Sequence, residues 1–219
     1  KHSFPTRRSS DLQFFDDQRE FVGDPLWTWV QAFMWGGDGR RYRLGYQDGV
    51  GPIPEPEQVR ILAFAAINRG VRGLLFFPHH ELHLQPELAA EVAIVCREIR
   101  LFNDHLAAGT TTFNLSASDT ALNVTAFRYG NSTVLSADII RGTYHRWVDE
   151  AVLENVTVDV PWEGRALPQA KLVATPDVVT CGVERLSGNM IRVTIPRIEI
   201  SGFILLSTDQ AEVARMERG

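Results

Sequence analysis

Cysteine is scarce in this 219-residue chain. Only Cys96 and Cys181 occur, which excludes a disulfide framework and an unaided four-ligand zinc site. No apolar run approaches the roughly 20 residues that a membrane-spanning helix needs, so no membrane partner is expected. Basic excess is missing as well. The formal net charge is −5, whereas a nucleic-acid binder usually carries a Lys- and Arg-rich face. The chain has no GxxxxGK[ST] and no GxGxxG after a strand, so nucleotide binding has no support. No cofactor and no metal are expected, and the oligomeric state is left open. What the chain does have is an ordinary globular balance, with 44% hydrophobic and 22% charged residues, which argues against disorder as the main state. Five Trp supply material for a core or for a sugar-stacking cleft.

Residues 1–12 read KHSFPTRRSSDL. This opening is basic and Ser-rich, yet it lacks the apolar stretch of about 7–15 residues that marks a signal peptide. His2 to Leu12 matches a frame translation of a common short-read sequencing adapter, residue after residue. Residues 1–12 are therefore expected to be a non-native scar, outside any fold reasoning. Environmental DNA of bacterial origin is the expected source. The reading frame is then expected to continue upstream, which makes this chain the C-terminal piece of a longer protein.

From 13 to 107 the pattern alternates between strand and helix. Leu26 to Phe33 (LWTWVQAF) is aromatic and β-branched and follows Asp24-Pro25, which predicts a strand. A Gly-rich loop from Trp35 to Gly51 comes next. Pro52, Pro54 and Pro56 interrupt it, and Pro56 suits the first position of a helix. Val59, Leu62, Ala63, Ala66 and Ile67 then recur at helical spacing, and Gly70 ends the run. Val71 to Phe77 is a continuous apolar segment, as expected of a strand covered on both faces. A second helix is predicted from Pro86 to Leu106. Strand, helix, strand, helix is the grammar of a parallel sheet.

After Gly109 the grammar changes. Short β-rich runs follow: 121–129, 132–140, 156–160, 171–174, 178–185, 190–195 and 202–207. Turn signals such as Tyr129-Gly130-Asn131 and Ser187-Gly188-Asn189 separate several of them. Residues 108–208 are therefore expected to form an antiparallel β-sandwich, and 209–219 a polar tail with a frayed helical turn. The fold class is α/β followed by all-β.

Two βα units leave open strand edges, and a closed (β/α)8 barrel takes about 250 residues. The succession LWTWVQAFMWGG, then PEPEQVRILAFAAINRGVRGLLFF, then a long helix and β-rich runs ending in IEISGFILLS resembles the C-terminal end of glycoside hydrolases. In these enzymes a (β/α)8 barrel precedes an all-β accessory domain. The resemblance spans about residues 24–207. It implies that 13–107 are the last two βα units of an incomplete barrel and that the parent hydrolyses glycosidic bonds, from a secreted or periplasmic location. It also implies paired carboxylates, one of them a Glu ending the first strand of this chain. Gln31 stands near that end instead, so the catalytic residues are unknown. The fragment itself is expected to be inactive. A non-catalytic carbohydrate-binding or structural relative of the same shape is the alternative.

The C-terminal rim of such a barrel is where sites are built. The first loop brings Trp35, Asp38, Arg40, Tyr42, Tyr46 and Asp48 to that rim. Aromatic faces can stack on sugar rings there, and Asp or Arg can hydrogen-bond hydroxyls; Trp35 is either the platform or a packing residue. After the second strand come His79 and His80, polar candidates for substrate contact. His79-His80-Glu81-Leu82-His83 is not the HExxH zinc pattern. The sequons at Asn114, Asn123, Asn131 and Asn155 read as structural, and both cysteines as small buried hydrophobes.

Overall fold

The computed structural model describes residues 26–32, 55–78, 86–140, 152–174 and 177–217. Strand β1 (Leu26–Ala32) runs parallel to β2 (Val71–Pro78), with Trp29 opposite Leu75. Helix α1 (Pro56–Ile67) connects them. Its start has the expected chemistry: Pro56 occupies the first turn, and the Glu55 N–H donates to Gln58 Oε1 at 3.0 Å. At its end Gly70 takes φ 87°, a left-handed conformation suited to glycine.

Eight of the twelve α1 residues are buried, because the helix is a wedge with partners on two sides. Val59 and Ala63 pack with Val30 of β1. Phe64 and Ile67 pack into a separate cluster with Phe203 and Val173 of the following sheet. The predicted long second helix is two helices, α2 (Pro86–Leu101) and α3 (Asn103–Ala108). The break falls at Phe102, with φ −114° and ψ 19°. Its ring is buried and lies 5.1 Å from that of Phe203, so burial of one aromatic overrides helical continuity.

The rest is one antiparallel sheet of eight strands in the order β3-β4-β5-β10-β7-β8-β9-β6. The strands are β3 (Thr110–Thr112), β4 (Leu122–Tyr129), β5 (Ser132–Ile139), β6 (Val152–Pro161), β7 (Gln169–Ala174), β8 (Asp177–Arg185), β9 (Met190–Glu199) and β10 (Ser201–Ser207). A short helix, α4 (Gln210–Met216), follows. The sheet curls. The first half of β8 pairs with β7, and its second half, from Gly182, pairs with β9. The segment 115–118 then spans between β4 and the outermost strand: Leu115 N–H donates to Val124 O at 3.0 Å, and Ser118 N–H to Thr157 O of β6 at 2.9 Å. Inside the curl sits the larger apolar core, including Val124, Leu135, Leu172, Val158, Val193 and Ile204.

The opposite face of the central strands lies under the helices, so β5 and β10 are buried along their whole length. That face is polar at both ends and apolar between. Phe127, Val134, Phe203 and Leu205 form the middle, where α1, α3 and α4 pack. Asn123, Thr125, Ser136, Asp138 and Ser201 make one polar end, and Ser132 and Ser207 the other. Of the two cysteines, Cys181 is buried as expected; Cys96 is exposed, because it falls on the outer side of α2.

Candidate functional site

Ala32 is opposite Pro78 in the β1–β2 register, so the chain leaves both strands at the same end of the pair. Trp35, Asp38, Arg40, Tyr42, Tyr46, Asp48, His79 and His80 all lie outside the described residues. The face of the pair turned from α1 can be described. Trp27 and Trp29 are 61% and 63% exposed there, and Leu75 is 37% exposed. A side chain at Gly73 would put its Cβ 2.3 Å from the Trp27 ring, so glycine is what lets that indole lie over the strand. The other face, with Val30, Leu74 and Phe76, packs on α1 and α2.

The two polar ends of the sheet's helix-covered face are the other candidates. At one end, a groove of about 870 Å³ opens between α2, α3, the β4–β5 turn and α4. Gly130, at φ 58°, forms that tight turn. A hydrogen-bond chain makes the floor. Ser207 Oγ donates to Glu212 Oε2 at 2.7 Å, and Ser132 Oγ donates to Glu212 Oε1 at 3.1 Å. With the serine proton committed to the carboxylate, Ser132 Oγ accepts from His105 Nε2–H at 2.8 Å. Burial holds the His105 pKa below its ordinary value, against the opposing pull of Glu212 and Asp104. A serine beside a histidine suggests a nucleophile, but here the acid sits on the serine and not on the imidazole. The order His–Ser–Glu cannot pull the hydroxyl proton onto the ring, as nucleophilic catalysis requires. The chain instead fixes α4 against α3 and β5.

At the other end, Asp138 is fully enclosed. Its Oδ1 accepts from Asn68 Nδ2 and from Asn123 Nδ2, the latter at 3.0 Å. Thr125 Oγ1 donates to the Asn68 carbonyl at 3.0 Å. Asp138 Oδ2, Asn68 Oδ1, Ser136 Oγ and Ser201 Oγ are buried without a hydrogen-bond partner among the described residues. Desolvation pushes the Asp138 carboxyl up to about 6, against the Asn68 and Asn123 hydrogen bonds and the Arg69 charge. Among the described residues no group of three His, Cys, Asp or Glu side chains is placed to hold a metal ion. Sequence reasoning missed both clusters. His105, Ser132, Glu212 and Asp138 are far apart in the chain and share no motif.

No family model and no curated protein sequence matches the chain. The solved structures to which it bears a distant likeness are carbohydrate-acting enzymes by name. The chain is similar to a noncanonic maltogenic α-amylase from Thermotoga neapolitana, at 12% identity and a TM-score of 0.47, over 90% of this chain and 45% of that one. It is similar to a Thermotoga maritima α-fucosidase at 11% identity and TM-score 0.42, over 84% and 40%. A cycloisomaltooligosaccharide glucanotransferase from Paenibacillus sp. shares 11% identity at TM-score 0.43, over 69% and 27%. The chain thus spans less than half of each of these proteins, and no residue role passes from them to this one.

Proposed function

We propose that the chain is the closing part of a carbohydrate-active protein whose parent hydrolyses glycosidic bonds. In this reading 13–107 are the last two βα units of a (β/α)8 barrel and 108–208 a β-sandwich accessory domain. The residues at the barrel rim, Trp35, Asp38, Arg40, Tyr42, Tyr46, Asp48, His79 and His80, then contact sugar. The parallel β1–β2 pair carries the reading. One face is covered by helices, while Trp27, Trp29 and Leu75 are exposed on the other, as expected of a strand pair whose inner face other strands should complete. Gln31 stands next to the last residue of β1, near where the resemblance calls for a nucleophilic Glu, which favours a second reading, a carbohydrate binder without turnover.

The test joins this chain to its upstream coding sequence and assays the product beside the chain alone. About six further βα units, hydrolysis of a polysaccharide by the extended protein and none by the chain alone are the expected results. In the extended protein Trp35→Ala should weaken oligosaccharide binding at least tenfold. Binding without hydrolysis would select the second reading. An upstream sequence without βα units would reject the barrel, and an unchanged affinity in Trp35→Ala would reject the platform role.

A further inference from the structure

The buried polar atoms left without a partner are not scattered. Among the described residues they are Asn68 Oδ1, Arg69 Nε, Ser136 Oγ, Asp138 Oδ2 and Ser201 Oγ, and the fold gathers all five around one carboxyl. Ser201 of β10 stands directly opposite Asp138 of β5, and Asn123 of β4 stands opposite it on the other side. Opposed side chains of neighbouring strands have Cβ atoms about 5 Å apart. Asn123 is long enough to reach across and donates to Asp138 Oδ1 at 3.0 Å. Ser201 is shorter, and neither its hydroxyl nor Oδ2 finds a partner. Ser136 lies two residues before Asp138, on the same face of β5. Thr125, opposite Ser136, donates to the Asn68 carbonyl at 3.0 Å, while the Asn68 amide donates to Asp138 Oδ1. Asn68 thus covers both rows from the turn after α1. Arg69 adds a charge that acts on Asp138, yet its Nε meets no acceptor. Asn68, Ser136, Asp138 and Ser201 are each at most 3% exposed, so bulk solvent does not satisfy them.

We propose that enclosed water binds here, bridging the Asp138 carboxyl to Ser136 and Ser201 and tying the end of α1 to β5 and β10. A polar atom buried without a partner carries its full desolvation cost, and a small molecule that both donates and accepts removes it. The set asks for both functions at once. Ionised Asp138 and the Asn68 oxygen only accept, Arg69 Nε only donates, and the two hydroxyls do either. Water meets such a mixture with about two to four hydrogen bonds. A bare cation would have only the oxygens to coordinate and would be opposed by the Arg69 charge. An entry route is present too. Ser201, though buried, also lines a cleft of about 480 Å³ between α1, α2, β8 and β9. The site is independent of the carbohydrate reading.

Two measurements on the full chain test this: urea unfolding at neutral pH, in sodium chloride and in choline chloride of equal ionic strength, and magnetic relaxation dispersion of the water signal, which detects water held inside a folded protein. Ser136→Ala and Ser201→Ala should each raise the unfolding constant about three- to tenfold, although neither hydroxyl has a protein partner to lose. In a dry site, deleting an unmatched hydroxyl would leave stability unchanged or raise it; that result in both variants would overturn the proposal. Ser136→Val places methyl carbon in the site and should lower the dispersion amplitude of the folded protein. An amplitude equal to wild type would also overturn it. Stability should be the same in the two salts, and a loss in choline would assign the site to sodium in place of water.

Discussion

Asp138 is the residue whose chemistry sets the most specific expectation. Asn68 and Arg69 face it from the turn that follows α1, Asn123 from β4 and Ser201 from β10, so among the described residues Arg69 is the one charge acting on it. In the folded protein its carboxyl titrates at about 6, above the ordinary 3.8. The folded state therefore binds the proton more tightly than the unfolded state does. The stabilisation from protonated Asp138 is fully present below about pH 4 and is lost as pH rises through 6. A displacement of this size corresponds to about 3 kcal/mol. Asp138→Asn keeps the acceptor for Asn68 and Asn123 and places an uncharged donor where Oδ2 lies. The variant should be more stable than wild type at pH 7 and should lose the slope of stability between pH 4 and 6. Urea unfolding at a series of pH values measures both effects, and an unaltered slope would assign that pH dependence to other groups.

Among elements, α1 is the joint on which the others meet, and its one buried charge shows how. Arg60 Nη2 donates to both oxygens of Glu98 at 2.8 and 2.7 Å, and Nη1 to Glu91 Oε1 at 3.0 Å. Glu98 is 1% exposed. Removing one partner of a buried pair strands the other without solvent. Glu98→Ala should therefore cost about 3 kcal/mol in chemical denaturation, much more than the same change at exposed Glu87. Elements such as α1 were legible in the sequence because local chemistry determines them: Pro56 starts the helix, a 3.6-residue apolar spacing continues it and Gly70 stops it. The run Val71–Phe77 gave β2 for the same reason. The split of α2 from α3 was not legible, since it depends on Phe203, about one hundred residues further on. Three threonines gave no apolar period from which to read β3. The helical turn expected in the polar tail is the helix α4, and what its sequence did not reveal is that it docks, burying Val213 and Met216, two apolar residues too few to stand out from their polar neighbours. The groove was hidden for a related reason: Ser132 and Glu212 are 80 residues apart and meet only through the sheet order.

For the molecule as a whole, one side chain fastens the βα unit to the sheet. Arg72 leaves β2 to donate from Nη1 to the Leu106 carbonyl and from Nη2 to Gly109 O at 3.2 Å and Thr111 Oγ1 at 2.7 Å. Its guanidinium also lies 5.4 Å above the Phe127 ring. Arg72→Ala should cost about 2–3 kcal/mol, and Arg72→Lys should recover only part of it, because an ammonium cannot span this fork of acceptors. Equal stabilities of the two variants would show that the aliphatic stem, not the head group, makes the attachment. The sheet order has a consequence for how the protein is made. Strand β10 follows all the other strands in the chain, yet it lies between β5 and β7. While the polypeptide emerges from the ribosome, β5 and β7 must wait with bare hydrogen-bonding edges until residues 201–207 are released. A ribosome stalled shortly before that point would therefore hold two halves of a sheet, each ready to pair with a neighbouring nascent chain.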